Sequence, residues 1–305
     1  MIKDKVAFLG PQGTFSHEAA SLVSDNLISY CSIQQVMGAV ESGECVCGIV
    51  PIENSIEGPV SLTLDSLIHN FDLKIKNEIV IPINHNLLAA KEMTVDEVEN
   101  VYSHSQALGQ CQPYLERHGI TAHYTLSTAA AAKRVAETGE DAAIGTLKAA
   151  ELYGLKVIDT NIQENFNNET RFVVLDNDDS PITGNDKTSI SFSLFEDKPG
   201  GLYELLGLFA ENDVNLTKIE SRPSKEGLGH YIFFIDLEGH RLDEDIGSIL
   251  KHLEDNTSFF KILGSYPVFS EDLFKWSYHF MSIFLKFKDF IRFLFTEFFK
   301  ILSIF

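Results

Sequence analysis

A hydroxyl and a permanent cation lie side by side at Thr170 and Arg171, directly after the paired amides Asn167 and Asn168. Paired asparagines are typical of a turn, because their short side chains bond their own backbone. The apolar run that begins at Phe172 predicts a buried strand. A donor and a guanidinium at the entrance of a core strand could hold a small anion. The alternative, from these residues alone, is that Arg171 makes a structural salt bridge and Thr170 only opens the strand.

Other polar side chains also follow predicted strands, which is where α/β proteins form ligand sites. Thr14 and Ser16 follow a strand and a glycine turn and precede a helix, a layout that binds anions at helix N-termini. Asn54 follows the apolar strand 48–52 in a polar cluster. Ser103 is predicted to cap a helix, with Gln110 on the same face as that cap.

Helix caps with hydroxyl side chains recur at Ser127 or Thr128 and at Thr146. Helix N-termini favour negative charge by ~0.3–1 kcal/mol each. Their recurrence predicts a cleft that collects carboxylates without many lysines. Ordinary capping and a solvent-facing polar surface are the alternative interpretation of the same spacing.

Composition narrows the class of protein. The chain has 305 residues, a formal net charge of −20 and 44% hydrophobic residues, so two or three domains with sizeable cores are expected and nucleic acid is not expected as a partner. The start of the chain does not resemble a signal peptide, and no stretch reaches the length of an uncharged spanning helix. The four cysteines lack metal-site spacing and are expected to be buried thiols in a cytoplasmic protein.

The order of predicted elements separates the chain into parts. Strands alternate with helices over the first part, which predicts largely parallel α/β sheets. The stretch 176–186 has the composition of a linker. After it, strands and helices follow in the order βαββαβ, a ferredoxin-like unit of about eighty residues that is typical of small regulatory or binding domains.

Taken together, these motifs resemble the prephenate dehydratase family with its ACT regulatory domain, from about Lys5 to Pro267. The resemblance implies an α/β fold with two periplasmic-binding-protein-like lobes around a cleft, a ferredoxin-like ACT domain and a helical C-terminal tail. The expected catalytic domain is 1–180, with lobe one at 1–78 plus 161–178 and lobe two at 79–160; a linker at 181–187, the ACT domain at 188–268 and the tail at 270–305 follow. The segments that carry the resemblance are Gly10–Ala20, Gly48–Val60, His85–Leu88, Ser103–Cys111, Ser127–Ala131, Thr170–Phe172 and Glu220–Pro223.

The resemblance implies conversion of prephenate to phenylpyruvate, water and CO2 on the phenylalanine pathway, without a metal or an organic cofactor. Thr170 and Arg171 are the expected catalytic residues. The expected substrate-binding residues are Asn54, Ser103, Gln110, Thr14 and Ser16. Arogenate dehydratase, with the same chemistry on the amino-acid analogue, is an alternative, and a non-catalytic amino-acid sensor is a second one that the intact Thr170-Arg171 pair disfavours.

The resemblance also implies that L-phenylalanine inhibits by binding between ACT domains of a homodimer or homotetramer. The expected effector-binding residues are Gly200, Gly201, Leu202, Asn215, Leu216, Glu220, Ser221 and Arg222. Three positions depart from the family pattern: Ser105 and Gly201 stand where Pro and Ala are usual, and Tyr203 stands where a small aliphatic residue is common.

The tail, 270–305, lies outside the resemblance and is rich in phenylalanine. Its apolar residues recur with a period near 3.5, which predicts one apolar helical face from about 274 to 305. Self-association or packing on the enzyme is the favoured interpretation. Interfacial membrane contact is possible but not favoured, because the tail's charges nearly cancel, and a non-functional extension is the third alternative.

Overall fold

The computed structural model describes residues 4–225, 227 and 229–270. The predicted phenylalanine-rich tail therefore lies outside the described residues, apart from Ser270. The described residues form three sheets with helices packed against them.

Lobe one begins the chain and contains the first sheet. Strands β1 and β2 are parallel, and so are β1 and β3. Buried apolar side chains on both faces of the sheet belong to two separate cores. The elements are β1 (Val6–Leu9), α1 (Phe15–Ser21), β2 (Leu27–Tyr30), α2 (Ile33–Glu41), β3 (Cys47–Asn54), β4 (Gly58–Pro59), α3 (Ser61–His69) and β5 (Lys74–Pro82).

Lobe two contains the second sheet, in the order β10-β6-β9-β7-β8. Three of its described α-helices, α4, α6 and α7, begin at capping side chains, as at α6, where the Ser127 hydroxyl accepts from Ala130 N at 3.0 Å. The elements are β6 (Asn86–Ala89), a 3-10 turn (Val95–Glu97), β7 (Asn100–Ser103), α4 (Ser105–Gln110), α5 (Gln112–His118), β8 (Thr121–Tyr124), α6 (Thr128–Thr138), β9 (Ala142–Gly145), α7 (Leu147–Tyr153) and β10 (Lys156–Asp159).

The chain then returns to lobe one as β11 (Glu169–Asp176), which lies between β3 and β5 and is antiparallel to both. In lobe two, β6 is likewise antiparallel to β9 and β10. Both sheets are thus mixed, and the prediction of largely parallel sheets is wrong, because strands that cross between the lobes enter each sheet in the opposite direction. Residues 83–85 and 160–168 make the two crossings.

The C-terminal domain, residues 186–267, has the predicted βαββαβ order and an antiparallel sheet in the order β13-β14-β12-β15. Its two helices pack on one face of that sheet around a core of their own. The elements are β12 (Asp186–Ser193), α8 (Gly201–Glu211), β13 (Leu216–Pro223), β14 (Tyr231–Glu238), α9 (Glu244–Asp255) and β15 (Phe259–Pro267). The predicted α/β architecture with a ferredoxin-like domain is confirmed.

The other face of this sheet packs against lobe one. Phe234, Leu263 and Tyr266 of the C-terminal domain share one buried core with Ile75 and Val173 of lobe one. A continuous apolar core across two domains means that they are docked rather than loosely linked, since such burial stabilises by ~25 cal/mol per Å².

The backbones of the two domains approach each other closely at Gly264 on β15. Its φ is +148°, and a Cβ there would overlap the carbonyl oxygen of Ile75 on β5 and lie 2.7 Å from the Ile75 nitrogen. Glycine is therefore required by both the backbone conformation and the lack of space.

No helix in the described part of the chain has the length and apolarity needed to span a bilayer.

We predict that Gly264→Ala lowers the free energy of unfolding by about 3 kcal/mol, because alanine adds strain at this φ and pushes β15 away from β5. Gly38→Ala is the matched control, since Gly38 lies in α2 with no atom near its Cβ position. That control should gain up to ~1 kcal/mol from helix propensity. Urea unfolding followed by circular dichroism measures both, and equal midpoints for the two variants would contradict the packing argument.

Candidate active site

A cleft with a cavity of ≈ 460 Å³ is lined by residues of both lobes. Apolar side chains form much of its wall, and hydroxyl, amide and imidazole groups and the Glu57 carboxylate supply its polar atoms. None of the described residues that line it is Lys or Arg. The polar lining residues are Thr14, Ser16, Asn54, Glu57, His85, His104, Gln106, Gln110, Ser127, Thr128 and Thr170.

Asn54 and Thr170 form the centre of the polar wall. They lie directly opposite each other on the neighbouring strands β3 and β11, at the ends where the strands meet the cleft. The Asn54 Nδ2 atom donates to the Thr170 Oγ1 atom at 2.9 Å, and both side chains are largely buried.

The orientation of the Asn54 amide is determined by the backbone. Its Oδ1 atom accepts from the N–H groups of Ile56 and Glu57, at 3.0 and 2.9 Å. Backbone N–H groups only donate, so the amide cannot flip, and Nδ2 must face Thr170. The Thr170 oxygen is consequently an acceptor toward Asn54. No described residue accepts the Thr170 hydroxyl proton, so that proton is free to be donated to a molecule in the cleft.

The same polarity continues from lobe one to lobe two. Asn54 Nδ2 also donates to Asn168 Oδ1 at 2.8 Å, and Asn168 Nδ2 donates to Gln110 Oε1 at 2.9 Å. The Gln110 oxygen is 2.9 Å from His85 Nε2, which must therefore carry a proton and donate. Burial lowers the pKa of His85, so the ring is neutral with an unprotonated Nδ1. A directional network thus connects the two lobes behind the cleft.

Gln110 lies where the sequence predicted, on the cleft wall. Its oxygen is already occupied by Asn168 and His85, so its Nε2 group is left as a donor for a bound molecule. Thr14 and Ser16 also line the cleft at the start of α1. There the Thr14 hydroxyl caps the helix by accepting from His17 N at 3.3 Å.

Ser103 does not lie where the sequence placed it. It is fully buried at the end of β7, and its hydroxyl donates to the Ile144 carbonyl at 2.8 Å. The helix that follows is capped by His104 instead. The prediction of Ser103 as a helix cap is wrong, because the strand extends to Ser103 and joins β9 through this hydrogen bond.

Arg171 points away from the cleft, because successive side chains of a strand face opposite sides of the sheet. Its Nε donates to Glu78 at 2.6 Å, Nη1 to Asp236 at 2.5 Å and Nη2 to the Tyr266 hydroxyl at 2.7 Å. Burial by itself lowers the pKa of Arg171, but Tyr266, Asp236 and Glu78 raise it above its ordinary value. The guanidinium is thus charged and occupied by these three partners outside the cleft lining, which does not fit the expected catalytic role of Arg171 and agrees with the structural salt bridge.

Sequence reasoning missed several polar residues of the site. Asn168 was interpreted only as part of a turn, yet it is buried and bonds both Asn54 and Gln110. His104 and Glu57 line the cleft without having been singled out as site residues. Their position in the sequence could have identified two of them, because Asn168 and Glu57 lie within three residues of Thr170 and Asn54 at the strand ends.

The predicted effector residues fall into two groups in the C-terminal domain. Gly200, Gly201 and Leu202 begin α8, whereas Leu216 to Arg222 form β13 and Asn215 precedes it. No described hydrogen bond or ion pair joins the α8 group to the segment Glu220–Arg222. The Arg222 guanidinium instead reaches lobe one, where it donates to the Ser61 hydroxyl at 2.8 Å and to Asp65 at 3.3 Å.

Across residues 4–225, 227 and 229–270, no group of three or more His, Cys, Asp or Glu side chains is arranged to hold a metal ion. The four cysteines are free thiols.

Comparison with known proteins agrees with this architecture. The family model described as prephenate dehydratase matches residues 6–180, and the model described as ACT domain matches residues 188–255. A prephenate dehydratase from Methanocaldococcus jannaschii is 44% identical over 274 residues, which cover 87% of this chain and 98% of the relative.

Two solved structures have the same fold over most of the chain. A prephenate dehydratase from Arthrobacter aurescens in complex with L-Phe has a TM-score of 0.79 and 32% identity, and covers 92% of this chain and 99% of its own. A protein described as a novel type of quorum quenching acylase has a TM-score of 0.77 at 26% identity, with 87% of this chain and 98% of its own covered. The matches to the catalytic part, the C-terminal domain and the near full-length relatives agree, and the chain belongs to the prephenate dehydratase family, with an ACT domain after its catalytic part.

Proposed function

We propose that this chain converts prephenate to phenylpyruvate, water and CO2 in the cleft between its lobes. The observation that carries the proposal is the free hydroxyl proton of Thr170, whose oxygen accepts from Asn54 while Asn54 is held by backbone N–H groups. A preoriented donor of this kind is what a departing hydroxide requires.

The reaction needs little acid–base chemistry beyond that donor. The electron pair of the breaking carbon–carboxylate bond enters the ring as CO2 leaves, and the ring expels its hydroxyl group as hydroxide to become aromatic. The hydroxide becomes water by taking a proton from solvent. Thr170 stabilises the negative charge that develops on that oxygen by donating a hydrogen bond. A threonine hydroxyl is a poor proton donor near pH 7, so stabilisation and orientation describe its role better than full proton transfer.

Binding of the dicarboxylate is expected to depend on neutral donors. Three helices, α1, α4 and α6, begin at the cleft wall, with Thr14, His104 and Ser127 as their capping residues. Helix N-termini favour carboxylates, and the Gln110 Nε2 group adds a directed donor. This arrangement accounts for anion binding in a protein whose net charge is −20.

Arogenate is the second candidate substrate, and Glu57 is the observation that favours it. This carboxylate lines the cleft and could pair with the ammonium group that arogenate carries in place of a keto group. Comparison of kcat/KM for the two substrates decides between them, and we expect the larger value for prephenate, since the relatives that this chain resembles are named prephenate dehydratases.

The regulatory proposal is that L-phenylalanine binds at the C-terminal domains of a homo-oligomer and inhibits turnover. The likeness to a phenylalanine complex and the ACT family match support it. We also propose a cytoplasmic location, which the free cysteines support because a reducing compartment keeps thiols unpaired.

We predict that Thr170→Ala lowers kcat by ~10²–10³-fold with little change in KM, because the lost hydrogen bond forms mainly as charge develops on the leaving oxygen. Thr170→Ser keeps the hydroxyl and should recover most of the rate. Steady-state formation of phenylpyruvate, followed by its absorbance, measures both. A kcat for Thr170→Ala close to that of the wild type would remove this residue from the mechanism.

We predict that Asn54→Asp lowers kcat by ~10²-fold or more although the new side chain has the same shape. A carboxylate still accepts from Ile56 and Glu57, but it cannot donate to Thr170 and instead attracts the threonine proton away from the substrate. Asn167→Asp is the matched control, since it places the same charge on an exposed residue near the site. Equal losses in the two variants would show that added charge, and not hydrogen-bond polarity, is responsible.

We predict that titration calorimetry detects binding of L-phenylalanine to the wild-type protein, and that the saturated protein turns over prephenate ~5–150-fold less efficiently, the usual range of allosteric coupling. L-Alanine serves as the control ligand. Absence of a heat signal would mean that Gly201 and Tyr203, the departures from the family pattern, have disabled the effector site.

A further inference from the structure

Strands β3 and β11, called here the catalytic strand pair, carry charged side chains on the face opposite the cleft. These charges face the C-terminal domain. Alternation along β3 and β11 turns Asn54 and Thr170 toward the cleft and their chain neighbours Glu53 and Arg171 toward the opposite face. Glu53 and Arg171 are themselves paired across the two strands, as Asn54 and Thr170 are. The two residues that shape the site are thus each one peptide bond away from a charge on the other face.

The C-terminal domain presents a complementary pair of charges. Lys218 on β13 and Asp236 on β14 lie opposite each other in the same way. Lys218 Nζ is 2.8 Å from Glu53 Oε1, and Asp236 Oδ2 is 2.5 Å from Arg171 Nη1. Two opposed residues of one sheet therefore bind two opposed residues of the other through two ion pairs.

Both strand pairs are irregular at these positions. The register between β11 and β3 shifts between Arg171 and Phe172, and the register between β13 and β14 shifts between Leu216 and Lys218. Bulges of this kind redirect side chains and increase the local twist. Their presence beside both ion pairs aligns the four charged groups across the domain interface.

The surrounding contacts make this a closed cluster with balanced charge. Glu78 accepts from Arg171 and from Lys187 at 3.0 Å, and Asp236 also accepts from the Ser189 hydroxyl at 2.5 Å. The cluster consists of three carboxylates and three cations, Glu53, Glu78, Asp236, Arg171, Lys187 and Lys218. Glu78 and Asp236 are almost inaccessible to solvent, so the ions hold one another in place.

We propose that Glu53 and Arg171 are positioning residues. Through them the C-terminal domain holds Asn54 and Thr170 in the relative position that catalysis requires. This inference rests on the proposed function of the cleft. The two ion pairs prevent the ends of β3 and β11 from shifting relative to each other, and so preserve the hydrogen bond that exposes the Thr170 proton. The C-terminal domain is accordingly part of the support of the active site as well as a regulatory unit.

Lys218→Met tests the proposal at the position where a variant can fold. Removal of Arg171 or Asp236 would leave a deeply buried charge unpaired, whereas the side chain of Glu53 is 35% exposed and can be hydrated when Lys218 is lost. Methionine fills a similar volume to lysine. We expect kcat to fall on the order of 10-fold with KM nearly unchanged. This loss is smaller than the ~10²-fold loss of rate that a misplacement of about 1 Å can cause.

Lys225→Met is the matched control. Lys225 also makes an ion pair from the C-terminal domain to lobe one, with Asp65 at 2.9 Å, but Asp65 lies on α3 and not beside Asn54 or Thr170. This variant should keep the wild-type kcat. Lys218→Arg retains the charge and should recover most of the rate that Lys218→Met loses.

Hydrogen exchange measured by mass spectrometry provides a readout that does not depend on turnover. Exchange in peptides covering 47–54 and 169–176 should be several-fold faster in Lys218→Met than in wild type and unchanged in Lys225→Met. A wild-type kcat and exchange pattern in Lys218→Met would overturn the proposal, and so would equal losses in both variants. If the wild type itself does not turn over prephenate, the proposed function is wrong. If the wild type is active and Lys218→Met has the same kcat and exchange pattern, only the positioning role is wrong.

Discussion

The twofold alternation of side chains along β3 and β11 is the constraint on which the site depends. These strands are sandwiched between a cleft and a docked domain, so every residue near their ends serves one side or the other. Asn54 and Thr170 serve the cleft, and Glu53 and Arg171 serve the domain interface. A one-residue slip of either strand would exchange these roles and place a buried ion pair in the substrate site.

Backbone donors supply the direction of the hydrogen-bond network. Amide side chains can be reversed at little cost in isolation, but Asn54 begins its network at the N–H groups of Ile56 and Glu57, which cannot accept. This orientation determines which group donates in each later hydrogen bond. Asn54 donates to Asn168, Asn168 donates to Gln110, and His85 also donates to Gln110. The result is a Thr170 proton available to the cleft, oriented by neutral amide groups.

The fold was largely predictable because its signals are local. Alternating strands and helices, the linker composition and the βαββαβ order identify the two parts of the chain. Asn54 could be chosen from its place after a predicted strand, Gln110 from the helix that follows another, and Thr170 from its place at the entrance of a third. Arg171 could not be placed in the same way, since its direction depends on which residue of β11 faces the cleft. That choice is made by pairing with β3 and by partners that come 65 and 95 residues later, Asp236 and Tyr266. The prediction for Ser103 was wrong for a related reason, because its hydroxyl donates to a carbonyl on another strand.

The position of β13 relates the site to regulation. The strand carries Lys218, which reaches the back of Asn54 through Glu53, and ends in the segment Glu220–Arg222 that the family resemblance assigns to the effector. Among the described residues it is also an edge strand of the C-terminal sheet. Under the two proposals made above, a ligand or a second copy that moved β13 would displace the partner of Glu53 directly. Coupling between the domains would then need no long pathway, because one strand would contribute to both the effector segment and the support of Asn54 and Thr170.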